Sequence, residues 1–166
     1  RAHCVTVAWA AYALGVLLRQ QGMPVDPILA HRGGLVHDLD KIRTLHLKGA
    51  HGVLGAEFLA GQGYPLLTKI VREHIMHTIL KADAADRRWE NKLVYFCDKC
   101  VEGDQIVTFD QRLEKLRRRY PQYQESMRLA EDPIWALSDQ ICSLLGMASH
   151  DAMIAMLKHL RTQTSD

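Results

Sequence analysis

Alternation of apolar and polar residues, the pattern of a half-buried strand, is nearly absent from this 166-residue sequence, and that leaves an all-α fold class. Its four cysteines are too few for a disulfide framework in a chain of this size. Read as reduced thiols, they set an expectation of a cytoplasmic protein. Charge of one sign is also missing. A net charge of +2 does not call for nucleic acid or a membrane as an obligatory partner, and neither is expected. No internal repeats, low-complexity tracts or long Gly/Ser linkers divide the chain. The longest apolar run, Val5 to Leu18, is broken only by Thr6 and covers fourteen residues, whereas a membrane span needs about 20. It reads as a buried core helix. No basic segment precedes it and no cleavage site follows, so it does not read as a signal peptide.

What remains is an ordinary globular composition, 48% hydrophobic and 24% charged, long enough for one domain with a real core. Helical signals run throughout. A first helix from Ala2 to Gln21 should stop at Gly22. Asp26-Pro27 reads as an N-cap followed by proline at the first helical position, opening a helix towards Asp38. A basic loop from Lys41 to Lys48 leads to a helix from Ala50 to Ala60, and Pro65 starts the helix that carries His74. Residues 82–88 read as a loop, and Glu90 to Glu102 as a helix ended by Gly103. Asp110 to Arg119, Tyr123 to Ala130, Pro133 to Leu145 and His150 to Arg161 make up the C-terminal helices, with Ser149 as the last N-cap. The basic tract from Arg112 to Tyr120 reads as a solvated helix face.

The chemistry lies in where the nine histidines fall. His37-Asp38 are adjacent at the end of an apolar helix, in Gly34-Leu-Val-His-Asp-Leu-Asp-Lys41, and offer one nitrogen and one oxygen from a single backbone turn. Both donors suit Fe, Mn, Zn or similar divalent ions, and a carboxylate can bridge two of them. A lone His-Asp pair is a weak signal. His3 at the head of a long helix strengthens it, as does Asp98 inside the apolar stretch Leu93 to Val101, where an unpaired carboxylate would be costly to bury. His51 opens a helix after the basic loop, and His74 follows Ile70-Val-Arg-Glu.

In this order, His3, His37-Asp38 with Lys41, then Asp98 resembles the H…HD…D signature of the HD-domain phosphohydrolase superfamily. The resemblance covers residues 1–120 and implies an HD helical bundle, with residues 121–166 as a helical extension packed on the same domain. The extra histidines in His51-Gly-Val-Leu-Gly-Ala-Glu and Val71-Arg-Glu-His74 resemble subgroups that hold two metals, among them the bacterial symmetric diadenosine-tetraphosphate hydrolases. Tyr95-Phe-Cys-Asp-Lys-Cys-Val-Glu-Gly-Asp104, followed by Thr108-Phe-Asp-Gln-Arg112, is similar to HD domains fused to molybdenum-cofactor-type nucleotidyltransferases. A chain that starts at Arg1, two residues before a key histidine, fits that picture, and residues upstream of Arg1 are expected.

The resemblance implies that His3, His37, Asp38 and Asp98 bind one divalent ion, and that Asp38 bridges to a second held also by His51 and His74. Fe or Mn is the expected metal, with Mg, Co, Ni and Zn as alternatives. The pair would activate a shared water for in-line attack on phosphorus. Asp38 is thus a catalytic residue, and Lys41 both catalytic and a contact for substrate phosphate. Arg43, Lys48, His77 and Lys99 are further candidate substrate contacts, each of which also reads as a plain surface group. The expected reaction is hydrolysis of a phosphoester or phosphoanhydride of a nucleotide or other phosphorylated small molecule. An attached nucleotidyltransferase domain and a homodimer are the expected protein partners. Two other readings keep the ligand set: a nucleotide-binding regulatory domain without turnover, and a di-iron oxygenase.

Several patterns look like sites and read better as structure. Gly63-Tyr64-Pro65 spells the tripeptide of the HD-GYP phosphodiesterases but precedes His74 instead of following a paired-histidine motif, so it reads as a helix break. Cys97-x-x-Cys100 lacks two further zinc ligands and reads as core packing. His31, His46, His150 and His159 read as surface or helix-face residues. Trp9, Trp89 and Trp135, with Met147, Met153 and Met156, read as core or interface.

Overall fold

The computed structural model describes residues 2–47 and 50–163. Its architecture is a bundle of helices with one two-residue hairpin, so the all-α reading holds. Helix α1 (Ala2–Gln20) runs through the middle, with Val7, Ala8, Ala11, Leu14 and Leu18 fully buried at the three- and four-residue spacing of one helix face. By length and composition α1 would also pass as a membrane span. Here α2 (Pro27–Val36) and α6 (Trp89–Asp98) cover its buried face.

The carboxylate of Asp26 caps α2, accepting the N–H groups of Ile28 and Leu29 at 2.9 and 3.1 Å, a contact worth about 1 kcal/mol. Gly34 then decides how near α2 comes to α1. A Cβ there would lie 2.4 Å from the Ala8 Cα, so only glycine permits this crossing. The crossing matters to function because it sets the start of α1, with His3, beside the end of α2, with His37.

The stretch expected as a basic loop contains a short helix, α3 (Lys41–Thr44), and α4 begins at Val53, three residues later than the sequence suggests (Val53–Gly61). Helix α5 (Pro65–Glu73) stops just before His74. Two 3-10 turns follow, Met76–Leu80 and Ala84–Asp86.

Helix α6 is buried on nearly every side and ends at Asp98, four residues short of the expected Glu102. The chain turns through Lys99 and Cys100 into an antiparallel hairpin, β1 (Val101–Glu102) and β2 (Gln105–Ile106). Gly103, at φ +62°, makes the turn. A helical window cannot reveal so short a pairing, because Val101 and Ile106 are core residues in either conformation.

Helix α7 (Phe109–Arg119) opens on a reciprocal capping box between Thr108 and Gln111. Helix α8 (Gln124–Leu145) runs straight past Pro133, where the sequence suggests one helix ending and another starting. Pro133 forfeits one backbone hydrogen bond, and burial of Met127, Ala130, Ile134 and Leu137 on both sides of it carries the helix through. Helix α9 (His150–Gln163) closes the bundle, with Ser149 Oγ accepting the Ala152 N–H at 3.2 Å. One apolar cluster runs from Val7 on α1 to Leu157 on α9, and the three tryptophans, the three C-terminal methionines and both Cys97 and Cys100 belong to it or pack against it. Burial pushes both of those thiols up from their ordinary pKa.

His150 departs from its reading as a surface or helix-face residue. It is buried, its Nε2 accepts the Phe109 N–H at 3.1 Å, and its Nδ1 lies 2.9 Å from Ser138 Oγ. It ties α7, α8 and α9 together.

Candidate metal centre

Three imidazoles of the cluster are each oriented by a hydrogen bond on the far side of the ring. His37, the C-cap of α2, donates from Nδ1 to Gly34 O at 2.7 Å. His74, the C-cap of α5, donates from Nδ1 to Val71 O at 2.7 Å. His51 donates from Nδ1 to Asp40 Oδ1, also at 2.7 Å. With Nδ1 serving as the donor, the Nε2 of each ring keeps its lone pair for the interior. The rings stand side by side, with centroids 5.3 Å apart for His3 and His37, 5.0 Å for His37 and His74, and 5.0 Å for His51 and His74.

The carboxylates complete the arrangement. Asp38 places Oδ1 3.1 Å from His51 Nε2 and 3.6 Å from His74 Nε2, while its Oδ2 accepts from Lys41 Nζ at 2.5 Å. Asp98, at the end of α6, places Oδ1 2.9 Å from His3 Nε2 and 3.6 Å from His37 Nε2, and its Oδ2 accepts from Lys99 Nζ at 2.7 Å. Burial works against ionising either acid. For Asp38, the adjoining rings of His51, His74 and His37 outweigh it, and the pKa falls well below the carboxylate range. For Asp98, the Lys99 charge, the hydrogen bond with His3 and the nearby His37 do the same. Burial lowers His74 to about 4, against the pull of the nearby Asp38. Burial would also lower His51, but Asp38 and Asp40 raise it.

These donors fit a divalent cation. His37 has 0% exposure, and its Nε2 is buried without a hydrogen-bond partner, 3.6–3.7 Å from the oxygens of Asp98 and Asp38. A lone pair held beside two carboxylates is favourable only when a positive centre lies between them. The Nε2 atoms of His51 and His74 face each other at 3.3 Å, a contact that needs a proton or a metal to be attractive. Two groups meet the spacing of a shared ion, His3–His37–Asp38 and Asp38–His51–His74, with ligand atoms within 4.8 Å of one another in each. Asp38 belongs to both.

All six ligand candidates from the sequence, His3, His37, Asp38, His51, His74 and Asp98, therefore meet in one place. The substrate candidates fare differently. Lys41 pairs with Asp38 and lines the cleft over the cluster. Lys99 also lines it but is no surface charge: it is buried, donates to His74 O at 2.6 Å and to Asp98, and holds both in place. Arg43 is exposed on α3 and lies outside the cleft lining. His77 is exposed in the 3-10 turn after α5 and also lies outside it. Helix α5 ends at Glu73 and Ile75 is extended, so the one-turn spacing from His74 does not apply. Lys48 lies outside the described residues.

Two residues escaped sequence reasoning. Asp40 is 4% exposed and spends both oxygens locally, accepting from His51 Nδ1 and from the Gly55 N–H at 2.8 Å. The only trace of this role is a second acid two positions after Asp38. Arg112, within the tract expected to be solvated, is buried and lines the cleft with Leu116 of α7, Tyr120 at the end of that helix and Met127 of α8.

A protein-family model described as HD domain matches residues 1–103. The chain belongs to the HD domain family, a superfamily of metal-dependent phosphohydrolases whose members bind divalent metals. It is similar to an uncharacterized protein of Methanocaldococcus jannaschii, 31% identical over 154 residues that cover 86% of this chain and 88% of that one. It is also similar to Ribonuclease Y 2 of Bdellovibrio bacteriovorus, 33% identical over 43% of this chain, and to Ribonuclease Y of Fervidobacterium nodosum, 34% identical over 51% of it. Those matches take in only 13% and 16% of the two ribonucleases. No solved structure matches.

Proposed function

We propose that this protein hydrolyses a phosphoester or phosphoanhydride bond in a nucleotide or similar phosphorylated small molecule, at a two-ion centre of the kind its histidine pattern resembles. The observation that carries this reading is the buried, unpartnered Nε2 of His37 set between the carboxylates of Asp38 and Asp98. His3, His37, Asp38 and Asp98 would hold one ion, and Asp38, His51 and His74 the other. Bound there, such ions supply an acidified water and neutralise charge on phosphoryl oxygens. Asp38 keeps the two halves in register, and its depressed pKa keeps it anionic. Asp40 fixes the ring of His51, and Lys99 fixes Asp98. Lys41, with its side chain 42% exposed, can turn from Asp38 to a substrate phosphate without a large desolvation cost.

Metal analysis of the purified protein, with a screen of nucleotides, dinucleoside polyphosphates and an RNA oligonucleotide under Mn, Fe and Co, tests this. The RNA arm is included because of the ribonuclease relatives. Asp38→Asn should lose metal and at least about 100-fold of turnover. Undiminished turnover in that variant would remove the proposal. Nucleotide binding without product under every metal would indicate a regulatory domain, and iron-dependent oxygen uptake an oxygenase. A cytoplasmic location, an attached nucleotidyltransferase domain and a homodimer belong to the same proposal.

A further inference from the structure

The cleft over the cluster has a second wall that the ligand set does not use. Besides Asp38, His51, His74 and Asp98, the cleft is lined by Arg112 and Leu116 of α7, Tyr120 just after that helix and Met127 of α8, with Ile75 and Met76. Arg112 is buried, with its side chain 7% exposed. Its Nη1 is anchored by Glu102 on β1. An arginine in a cleft wall that is held through Nη1 alone has donors of its fork to spare for a further acceptor.

Charge points to an anion. Lys41 and Lys99 are each neutralised by an acid of the cluster, at 2.5 and 2.7 Å. Glu102 serves two guanidiniums, Arg112 and Arg119, the latter at 2.8 Å. Among the side chains that line the cleft, the cations Lys41, Lys99 and Arg112 outnumber the carboxylates Asp38 and Asp98 by one, Glu102 being shared between Arg112 and the half-exposed Arg119, and bound divalent ions would add to that surplus. The cleft volume is about 170 Å³, below the ~300–1,000 Å³ of pockets that enclose a whole drug-sized ligand. It holds a phosphate and the first part of what the phosphate is attached to, with Ile75, Met76, Leu116 and Met127 as the apolar flank.

We infer that Arg112 forms a phosphate subsite facing the metal ligands, which selects a terminal, dianionic phosphate over an internal phosphodiester. This rests on the hydrolase reading for its reaction, but not for binding. Inorganic phosphate, titrated calorimetrically into Mn-loaded protein, is therefore the first probe. Arg112→Met should weaken phosphate binding by about tenfold or more with Mn affinity unchanged. Glu102 keeps Arg119 as a partner in that variant, which leaves no buried charge orphaned. Arg112→Lys, which keeps the charge but not the guanidinium fork, should weaken phosphate at least about threefold. The second probe is turnover of p-nitrophenyl phosphate against bis-p-nitrophenyl phosphate. Wild type should prefer the monoester, and Arg112→Met should raise KM for the monoester more than for the diester. Wild-type phosphate affinity in both variants, no phosphate binding by the Mn-loaded wild type, or a diester preference would each overturn the inference. Arg112-dependent phosphate binding without turnover of any ester would leave the subsite standing and remove the hydrolase reading. Turnover that is indifferent to Arg112 would do the reverse.

Discussion

Asp40→Asn changes one oxygen to a nitrogen, and the structure says what must follow. Asp40 accepts two hydrogen bonds, from His51 Nδ1 at 2.7 Å and from the Gly55 N–H at 2.8 Å, and asparagine has one oxygen to offer. The Gly55 N–H cannot invert, so the amide oxygen should turn to it and the NH2 group should face His51. The imidazole must then carry its proton on Nε2, where it occupies the lone pair that ligation requires. Turning the amide the other way leaves a buried backbone N–H facing an NH2, at a cost of about 1–3 kcal/mol. Either outcome should weaken metal binding at the Asp38–His51–His74 group by roughly 10–100-fold, or about 1.4–2.8 kcal/mol. The His3–His37–Asp38 group makes no contact with Asp40 and should keep its ion. Competition with a chromophoric chelator gives the two affinities, and long-range 1H–15N correlation spectra give the His51 tautomer directly. Unchanged affinity together with an unchanged tautomer would refute the argument that Asp40 sets the ring.

Gly34→Ala should destabilise the fold by about 1–3 kcal/mol, read as a lower urea midpoint, because its Cβ meets the backbone of Ala8 at 2.4 Å; a neutral effect would mean that α1 and α2 can separate freely. Pro133→Ala should raise stability, by up to ~3 kcal/mol, since it restores a backbone donor inside α8, and thermal melting would show it. His150 should give an acid-sensitive stability. Burial holds its folded pKa below 6.5, against Asp151, Asp110 and Asp139, so its contribution is complete above about pH 6.5. It is lost as the pH falls through the lowered value, because the unfolded chain takes up the proton first. The stability difference between wild type and His150→Gln, from urea titrations between about pH 5 and 8, should shrink on acidification; a constant difference would count against the buried neutral imidazole.

Local features were legible where local chemistry decides them. Asp26-Pro27, the Gly22 stop and the Ser149 cap each act within a turn of the backbone. Pro133 misled because a proline signal is local, whereas the burial that overrides it comes from other helices. The short hairpin was invisible because two paired residues per strand make no period. Among the histidines, the order His3, His37-Asp38, Asp98 carried the ligand set. Nothing near His150 in sequence announces Phe109 or Ser138, its partners 41 and 12 residues away.

The sequence by itself determined the helices and most of their ends, because residue type and spacing along one chain express these directly, and it pointed to six candidate ligands through the resemblance its order of His and Asp residues bears to a known family. Only the tertiary structure decided which nitrogen of each ring faces inward, that Asp40 is what turns His51, and that Arg112 is buried against the cleft. Hydrogen-bond direction and burial depend on atoms brought together from distant segments, and a linear pattern contains no record of which side chain each will meet.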